Sequence, residues 1–207
     1  MTKGQLFIIS GPSGSGKDTL IRTLLSANPN LRISVSTVTR APREQSDFEK
    51  YRFVTVEDFK EMIDRGEFLE YNEYLGNFYG TPRLPVEKWL GDGLDVLLEI
   101  DVNGAQKVLE KMPALRIFIL PPSFAVLKER LLSRQTEDDD AAKKRLFAAI
   151  AELKHAANYD YVIVNDDLAL AASELSSVIT ASRQRTAMMK EKLLEVLNEC
   201  LTRQSEN

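Results

Sequence analysis

Four short apolar runs punctuate the chain: Leu6–Ser10, Asp95–Ile100, Arg116–Leu120 and Tyr161–Asn165. Each has strand length and is nearly unbroken in apolar residues, the pattern of strands buried on both faces. Ile33–Thr37 is a weaker version and is expected to supply a fifth strand. Between these runs, apolar positions recur at helical spacing over Lys17–Ala27, Val102–Lys111, Ser123–Arg134 and Asp138–Ala157. Strands alternating with helices predict an α/β fold, a parallel five-stranded sheet covered on both faces. Start signals agree: Ser123 follows Pro121-Pro122, and Thr136 precedes Glu137-Asp138-Asp139-Asp140, with acids at the positive end of a helix dipole.

From about Thr39 to Arg83 the rhythm breaks. This stretch is rich in Arg, Tyr, Phe and Glu, with Gly76, Gly80 and Pro82 as punctuation. It reads as an insertion of short strands and one helix, Val56–Arg65, lying over the ligand edge of the sheet. Ala169 to Glu206 carries one long amphipathic helical pattern with Leu175, Val178, Ile179, Leu193, Leu194, Leu197 and Leu201 on a related stripe. Packing on the core, an oligomer seam and an extension into solvent are all open to it.

Composition narrows the picture by exclusion. The chain has 207 residues, with 27 Lys plus Arg against 31 Asp plus Glu and a net charge of -4. That balance does not suit a protein that coats nucleic acid. The apolar runs are too short to span a bilayer, and no cleavable leader is expected ahead of Leu6. Cys200 is the single cysteine and His155 the single histidine. Neither an internal disulfide nor a Cys/His metal cage is available, and a reducing cytoplasm is the expected home.

The first chemistry lies directly after the first strand. Gly11-Pro12-Ser13-Gly14-Ser15-Gly16-Lys17-Asp18-Thr19 opens a helix, the context that a G-x-x-x-x-G-K phosphate loop requires. Glycines let backbone N–H groups turn inward around an anion, the helix N-terminus adds partial positive charge, and Lys17 can reach the outer phosphates of ATP. The position after the lysine usually holds Ser or Thr for Mg²⁺. Here it is Asp18, a hard ligand that would act on the metal directly or through its water, or point away while Thr19 serves.

A second set surrounds the insertion: Ser36, Arg40, Arg43, Tyr51, Glu70, Tyr79 and Thr81, with Asp101 at the end of its strand. Two arginines three apart suit a phosphate, since guanidinium forks match its oxygens. The tyrosines add hydroxyl donors. Glu70 can accept from the N1–H and 2-amino group of guanine while Ser36 and Thr81 donate to O6, a set that mismatches adenine.

With these residues in view the chain resembles the guanylate kinases from Leu6 to about Arg185. The resemblance is carried by GPSGSGK (11–17), SVSTVTRAPR (34–43), FLEYNEYLGNFYGTP (68–82), LLEIDVNGAQ (97–106), FILPPS (118–123), RLLSRQTEDDDAAKKRL (130–146) and VIVNDDL (162–168). It implies one kinase domain of three parts: a core (1–35, 83–122 and 150–207), a GMP-binding insertion (36–82) and a mobile lid (123–149). It further implies ATP and Mg²⁺, with GMP and dGMP as acceptors. Residues at the positions of Ser36, Glu70, Thr81 and Asp101 would contact the guanine, and those at Arg40, Arg43, Tyr51 and Tyr79 the GMP phosphate. The lid would supply Arg134 and Arg145, and Asn165 would lie by the adenine. Lys17, Arg40, Arg134, Arg145 and Asp101 are thus the expected catalytic set.

The departures are specific. The loop between Arg43 and Tyr51 is one residue shorter than the family's and lacks its glycine, so the register of Tyr51 is open. Arg134-Gln135-Thr136 replaces a common Arg-Gly-Thr, and Glu99 stands where aspartate is common. Asp18 resembles a related kinase of ribose 1,5-bisphosphate, which makes that activity an alternative. A non-catalytic guanylate-kinase-like interaction module is another. No base chemistry is expected of His155.

Overall fold

The computed structural model describes residues 3–42, 45, 47–74, 76–132 and 139–205. The chain begins with β1 (Leu6–Ser10), α1 (Lys17–Ala27) and β2 (Leu31–Ile33). A second region follows with β3 (Ser36–Val38), the single turn α2 (Asp47–Lys50), β4 (Tyr51–Phe53), α3 (Val56–Asp64), β5 (Phe68–Tyr74) and β6 (Asn77–Pro82). The chain then returns through α4 (Arg83–Gly91), β7 (Asp95–Glu99), α5 (Val102–Leu109), β8 (Leu115–Leu120) and α6 (Phe124–Leu132). It finishes with α7 (Asp139–Leu153), β9 (Tyr161–Val164), α8 (Leu168–Ser182) and α9 (Lys190–Ser205).

The core sheet has the order β2-β7-β1-β8-β9, and every neighbouring pair is parallel. β1 is buried along its length, and its alternation divides the core into two layers. Phe7 and Ile9 pack with Leu20 and Leu24 of α1 and Leu175 and Ile179 of α8. Leu6 and Ile8 face the other way, onto Val86 of α4 and Ala105 and Val108 of α5. Full burial of such a side chain stabilises by about 1.5–3 kcal/mol, which fixes the central strand and hence the loop at its carboxyl end.

The second sheet has the order β4-β3-β6-β5, with β3 parallel to β4 and the other pairs antiparallel. Its small core is aromatic: Phe59 stacks on Phe68 at 4.5 Å and on Phe78 at 5.4 Å. A further small core forms where Leu127 and Leu131 of α6 meet Leu146, Ala149 and Leu153 of α7. The Ser123 hydroxyl accepts from Val126 N–H at 3.2 Å, as its place before the helix predicts. Thr136 lies outside the described residues.

Three expectations need correction. Ile33–Thr37 is not one strand. Leu31–Ile33 pairs with β7, while Ser36–Val38 belongs to the second sheet, so the apolar run straddles a change of sheet. Tyr161–Val164 is an outer strand in which only Ile163 is buried, because α8 covers a single face. The C-terminal pattern is two helices, α8 and α9, and α9 leaves Leu193, Leu194, Leu197 and Leu201 exposed. Among the described residues no helix is long and apolar enough to cross a membrane.

Candidate active site

Gly11 to Gly16 leave the carboxyl end of β1 and run into α1. Gly16 caps that helix at φ 86°, the left-handed region, and a Cβ there would lie 2.2 Å from Asn165 Nδ2. Any other side chain would be strained and would collide. Lys17 Nζ folds back to donate to the carbonyls of Gly11 (2.5 Å) and Pro12 (3.1 Å). Asn165 Nδ2 donates to the Ser15 carbonyl at 2.8 Å. Asn165 therefore braces the loop from behind, and its followers Asp166 and Leu168 line the same end of the cleft. The Ser15 hydroxyl is buried without a hydrogen-bond partner among the described residues, as expected of a loop shaped to wrap an anion.

Asp18 has a partner that sequence spacing hides. Lys50, at the end of α2, donates to its Oδ2 at 2.5 Å. Glu99 of β7 hydrogen-bonds to the same carboxylate. Burial works against the charge on Asp18, but the bonds from Lys50 and Glu99 and the nearby Lys50 and Lys17 charges outweigh it and lower its pKa. Glu99 moves the other way, raised first by burial and then by the Asp18 charge. The pair faces the cleft beside Lys17 and Thr19.

The opposite wall belongs to the second sheet. Ser36 pairs with Tyr51 across β3 and β4, and both line the cleft. Tyr79 is paired with Val38 and with Asn72. Arg40 Nη1 donates to Asp47 Oδ2 at 2.8 Å and to the Ala41 carbonyl at 2.9 Å, and its guanidinium lies over the Tyr51 ring at 4.8 Å. Burial, reinforced by Glu99 and Asp18, pushes the Tyr51 hydroxyl up to about 12. It therefore stays a neutral donor. Arg43 lies outside the described residues.

Glu70 is buried, and Thr81 Oγ1 donates to its Oε1 at 2.6 Å. In this geometry the Thr81 proton goes to Glu70, so Thr81 orients the carboxylate, whereas the sequence pattern aims it at guanine O6. Burial raises the Glu70 pKa to about 7; the Thr81 bond opposes this and the Asp101 charge adds to it. Asp101 caps α5, accepting from Gly104 N–H at 2.7 Å, and its Oδ2 takes Asn72 Nδ2 at 3.0 Å.

Arg145 of α7 is near enough for its charge to act on Tyr74, and so is Glu152. Glu152 lines the cleft, and burial lifts its own pKa to about 7. Arg130 of α6 also lines it, with Nη1 3.5 Å from the Gly14 carbonyl. Sequence reasoning misses Arg130, although it stands four positions before Arg134, the arginine expected to act. Arg134 itself lies outside the described residues. His155 is exposed.

Lys17, Asp18, Ser36, Tyr51, Glu70, Tyr79, Glu99, Asp101 and Asn165 line one cleft of about 700 Å³, and Arg40, Thr81 and Arg145 stand behind its lining, a volume within the range of small-molecule sites. The guanylate kinase family model matches residues 3–182. The chain belongs to the guanylate kinase family. Among its relatives, the guanylate kinase of Salmonella typhimurium (strain LT2) is 47% identical over 93% of this chain and 95% of its own length. That of Escherichia coli (strain K12) is 46% identical over the same shares. The crystal structure of guanylate kinase from Anaplasma phagocytophilum superposes with a TM-score of 0.76 at 36% identity, covering 94% of this chain and 95% of that one. A bare carboxylate beside the phosphate loop of a guanylate kinase would repel an anionic ligand, and here Lys50 neutralises Asp18.

Proposed function

We propose that the cleft joins ATP and GMP end to end between the phosphate loop and the Arg40–Tyr51–Tyr79 wall, with Glu70 reading the base. As a guanylate kinase the chain is an enzyme, and its reaction turns GMP into GDP. A GMP phosphate oxygen attacks the γ-phosphorus, its bond forms as the β–γ bridging bond breaks, and ADP leaves. A dianionic phosphate is already a competent nucleophile, so no side chain has to remove a proton. The protein's work is alignment, exclusion of water and placement of positive charge.

Lys17 and the loop amides hold the donor phosphates. Arg40, with Tyr51 and Tyr79, lowers the repulsion that a second anion would meet. The region 123–149 acts as the lid over a core of 1–35, 83–122 and 150–207, and brings Arg145 to the transferring group, with the acceptor held by 36–82. Asp18 and Glu99, paired hard oxygen donors beside Lys17, fit Mg²⁺ carried in with ATP, either directly or through its water. When bound, the ion neutralises phosphate charge. The cytoplasm, which supplies both nucleotides, is the compartment implied.

The observation that carries the acceptor assignment is Glu70, a buried carboxylate in the cleft opposite the phosphate loop. It accepts from guanine N1–H and the 2-amino group only when ionised, and its pKa in this structure is about 7. The sign follows. Below pH 7 the protonated form dominates and one acceptor is lost; above it the carboxylate is free to bind. The KM for GMP is expected to fall by about tenfold from pH 6 to pH 8, and Glu70→Gln should flatten that profile beyond what phosphate ionisation causes. GDP formed from GMP, ATP and Mg²⁺ but not from AMP in place of GMP tests the assignment itself. Equal turnover of the two would overturn it. The sugar-phosphate and non-catalytic alternatives are not favoured by the family match.

A further inference from the structure

β5 is the outer strand of its sheet, so one edge carries carbonyls that no strand can take. Leu69 and Tyr71, two positions apart, direct their carbonyls to the same side, and each receives a lysine from the core. Lys107 Nζ donates to the Tyr71 carbonyl at 2.5 Å, and Lys111 Nζ to that of Leu69. Glu70 lies between them. The Leu69 side chain is buried in the core layer that holds Ala105 and Val108 of α5. At the near end Asp101 takes Asn72, and next along the helix comes Gly104. A Cβ on Gly104 would lie 2.8 Å from Glu70 Oε2. Asp101, Gly104, Lys107 and Lys111 are spaced three, three and four apart, which puts them on one side of α5 and the turn after it.

We propose that this side of α5 is a positioning surface for Glu70: the lysines pin the strand on both sides of it, and the missing side chain at Gly104 leaves the space its carboxylate occupies. Base specificity is then set from the core, across the seam between the two sheets, and not by the second sheet alone. A recognition group must be held to within about half an ångström to discriminate, and an outer strand paired along one edge only cannot do this unaided. The proposal rests on Glu70 being the group that reads the base.

Gly104 offers a clean probe. The atom an alanine methyl would meet is the far end of a flexible side chain, so the carboxylate gives way before the helix does. Alanine also forms helix better than glycine. G104A, the double variant K107M/K111M and E70Q are to be assayed with GMP and with inosine monophosphate, which lacks the 2-amino group, beside thermal melts. E70Q should cut the GMP-to-IMP ratio of kcat/KM by about tenfold or more, and G104A by about fivefold, with Tm unchanged or raised. K107M/K111M should raise the KM for GMP about fivefold with kcat within about twofold, and in the E70Q background G104A should change the ratio no further. A G104A enzyme that keeps its ratio while E70Q loses it overturns the positioning role. An E70Q enzyme that keeps the ratio overturns the reading of Glu70 itself. If G104A does not fold, the same ratio in K107M/K111M decides.

Discussion

Lys17→Met is expected to lower kcat by about a thousandfold or more, the size of losing a preorganised charge at a transferring group. The free protein should keep nearly its full thermal stability. In this structure Lys17 Nζ makes two bonds to neutral carbonyls, those of Gly11 and Pro12. Such bonds contribute about 1 kcal/mol net, and methionine fills most of the same space. The charge matters when phosphates replace those carbonyls, and most when negative charge spreads over the γ-phosphoryl oxygens. Gly16 keeps the backbone turned inward whichever side chain follows it, so the loop should persist. Single-turnover measurement of GDP with both nucleotides saturating isolates the chemical step. A kcat within tenfold of the parent would remove Lys17 from the transition state and move the task to the loop amides and to arginines such as Arg145.

The parts legible in the sequence are those whose physics is local. The phosphate loop declares itself because strand, glycines, lysine and helix are contiguous, and the buried strands because a run such as Leu6–Ile9 has no other economical use. Glu70, Tyr51 and Tyr79 are grouped from the sequence by donor and acceptor chemistry, and the fold brings all three to one cleft. What escapes depends on pairing across distance. Lys50 reaches Asp18 over 32 positions, and nothing in either neighbourhood announces the other. Ile33–Thr37 has a continuous pattern, yet Ser34 and Val35 are where the chain leaves one sheet for the other, which no periodicity reports. The pattern aims the Thr81 hydroxyl at a base, but its proton goes to Glu70 because β5 and β6 pair those two residues directly. Arg130, Glu152 and Asn72 escape because a lone polar residue on a helix or strand is ordinarily solvated, and only the fold turns these three toward the cleft.

The Asp18–Lys50 pair links the two halves of the site. Asp18 sits at the start of α1 and Lys50 on the acceptor side, one residue before Tyr51. A half-exposed pair contributes little to stability. Its significance is placement, since it joins the residue after Lys17 to the one before Tyr51, with Glu99, deeper and harder to ionise, as its neighbour.

On that acceptor wall the expected result is that Arg40→Lys raises the KM for GMP by about thirtyfold to a hundredfold, with kcat reduced less than about tenfold. Charge is conserved in this exchange, so the loss isolates geometry. Arg40 is held at one end: Nη1 is committed to Asp47 and the Ala41 carbonyl, and the plane rests on Tyr51. Nε and Nη2 make no hydrogen bond among the described residues, and in the proposed assignment they take the GMP phosphate in a fork that matches two of its oxygens. A lysine cannot hold Asp47 and also present two parallel donors. Its ammonium would be drawn to the buried Asp47 carboxylate, away from the ligand. Each charge-assisted bond lost is worth about 1.5–3 kcal/mol, which corresponds to roughly ten- to a hundredfold in affinity. Calorimetric titration of GMP without ATP should show the same loss as the KM, because the contact forms on binding and is retained through transfer. An Arg40→Lys variant with unchanged GMP affinity would mean that Arg40 is wholly engaged by Asp47, and that the acceptor phosphate is held by the tyrosine hydroxyls.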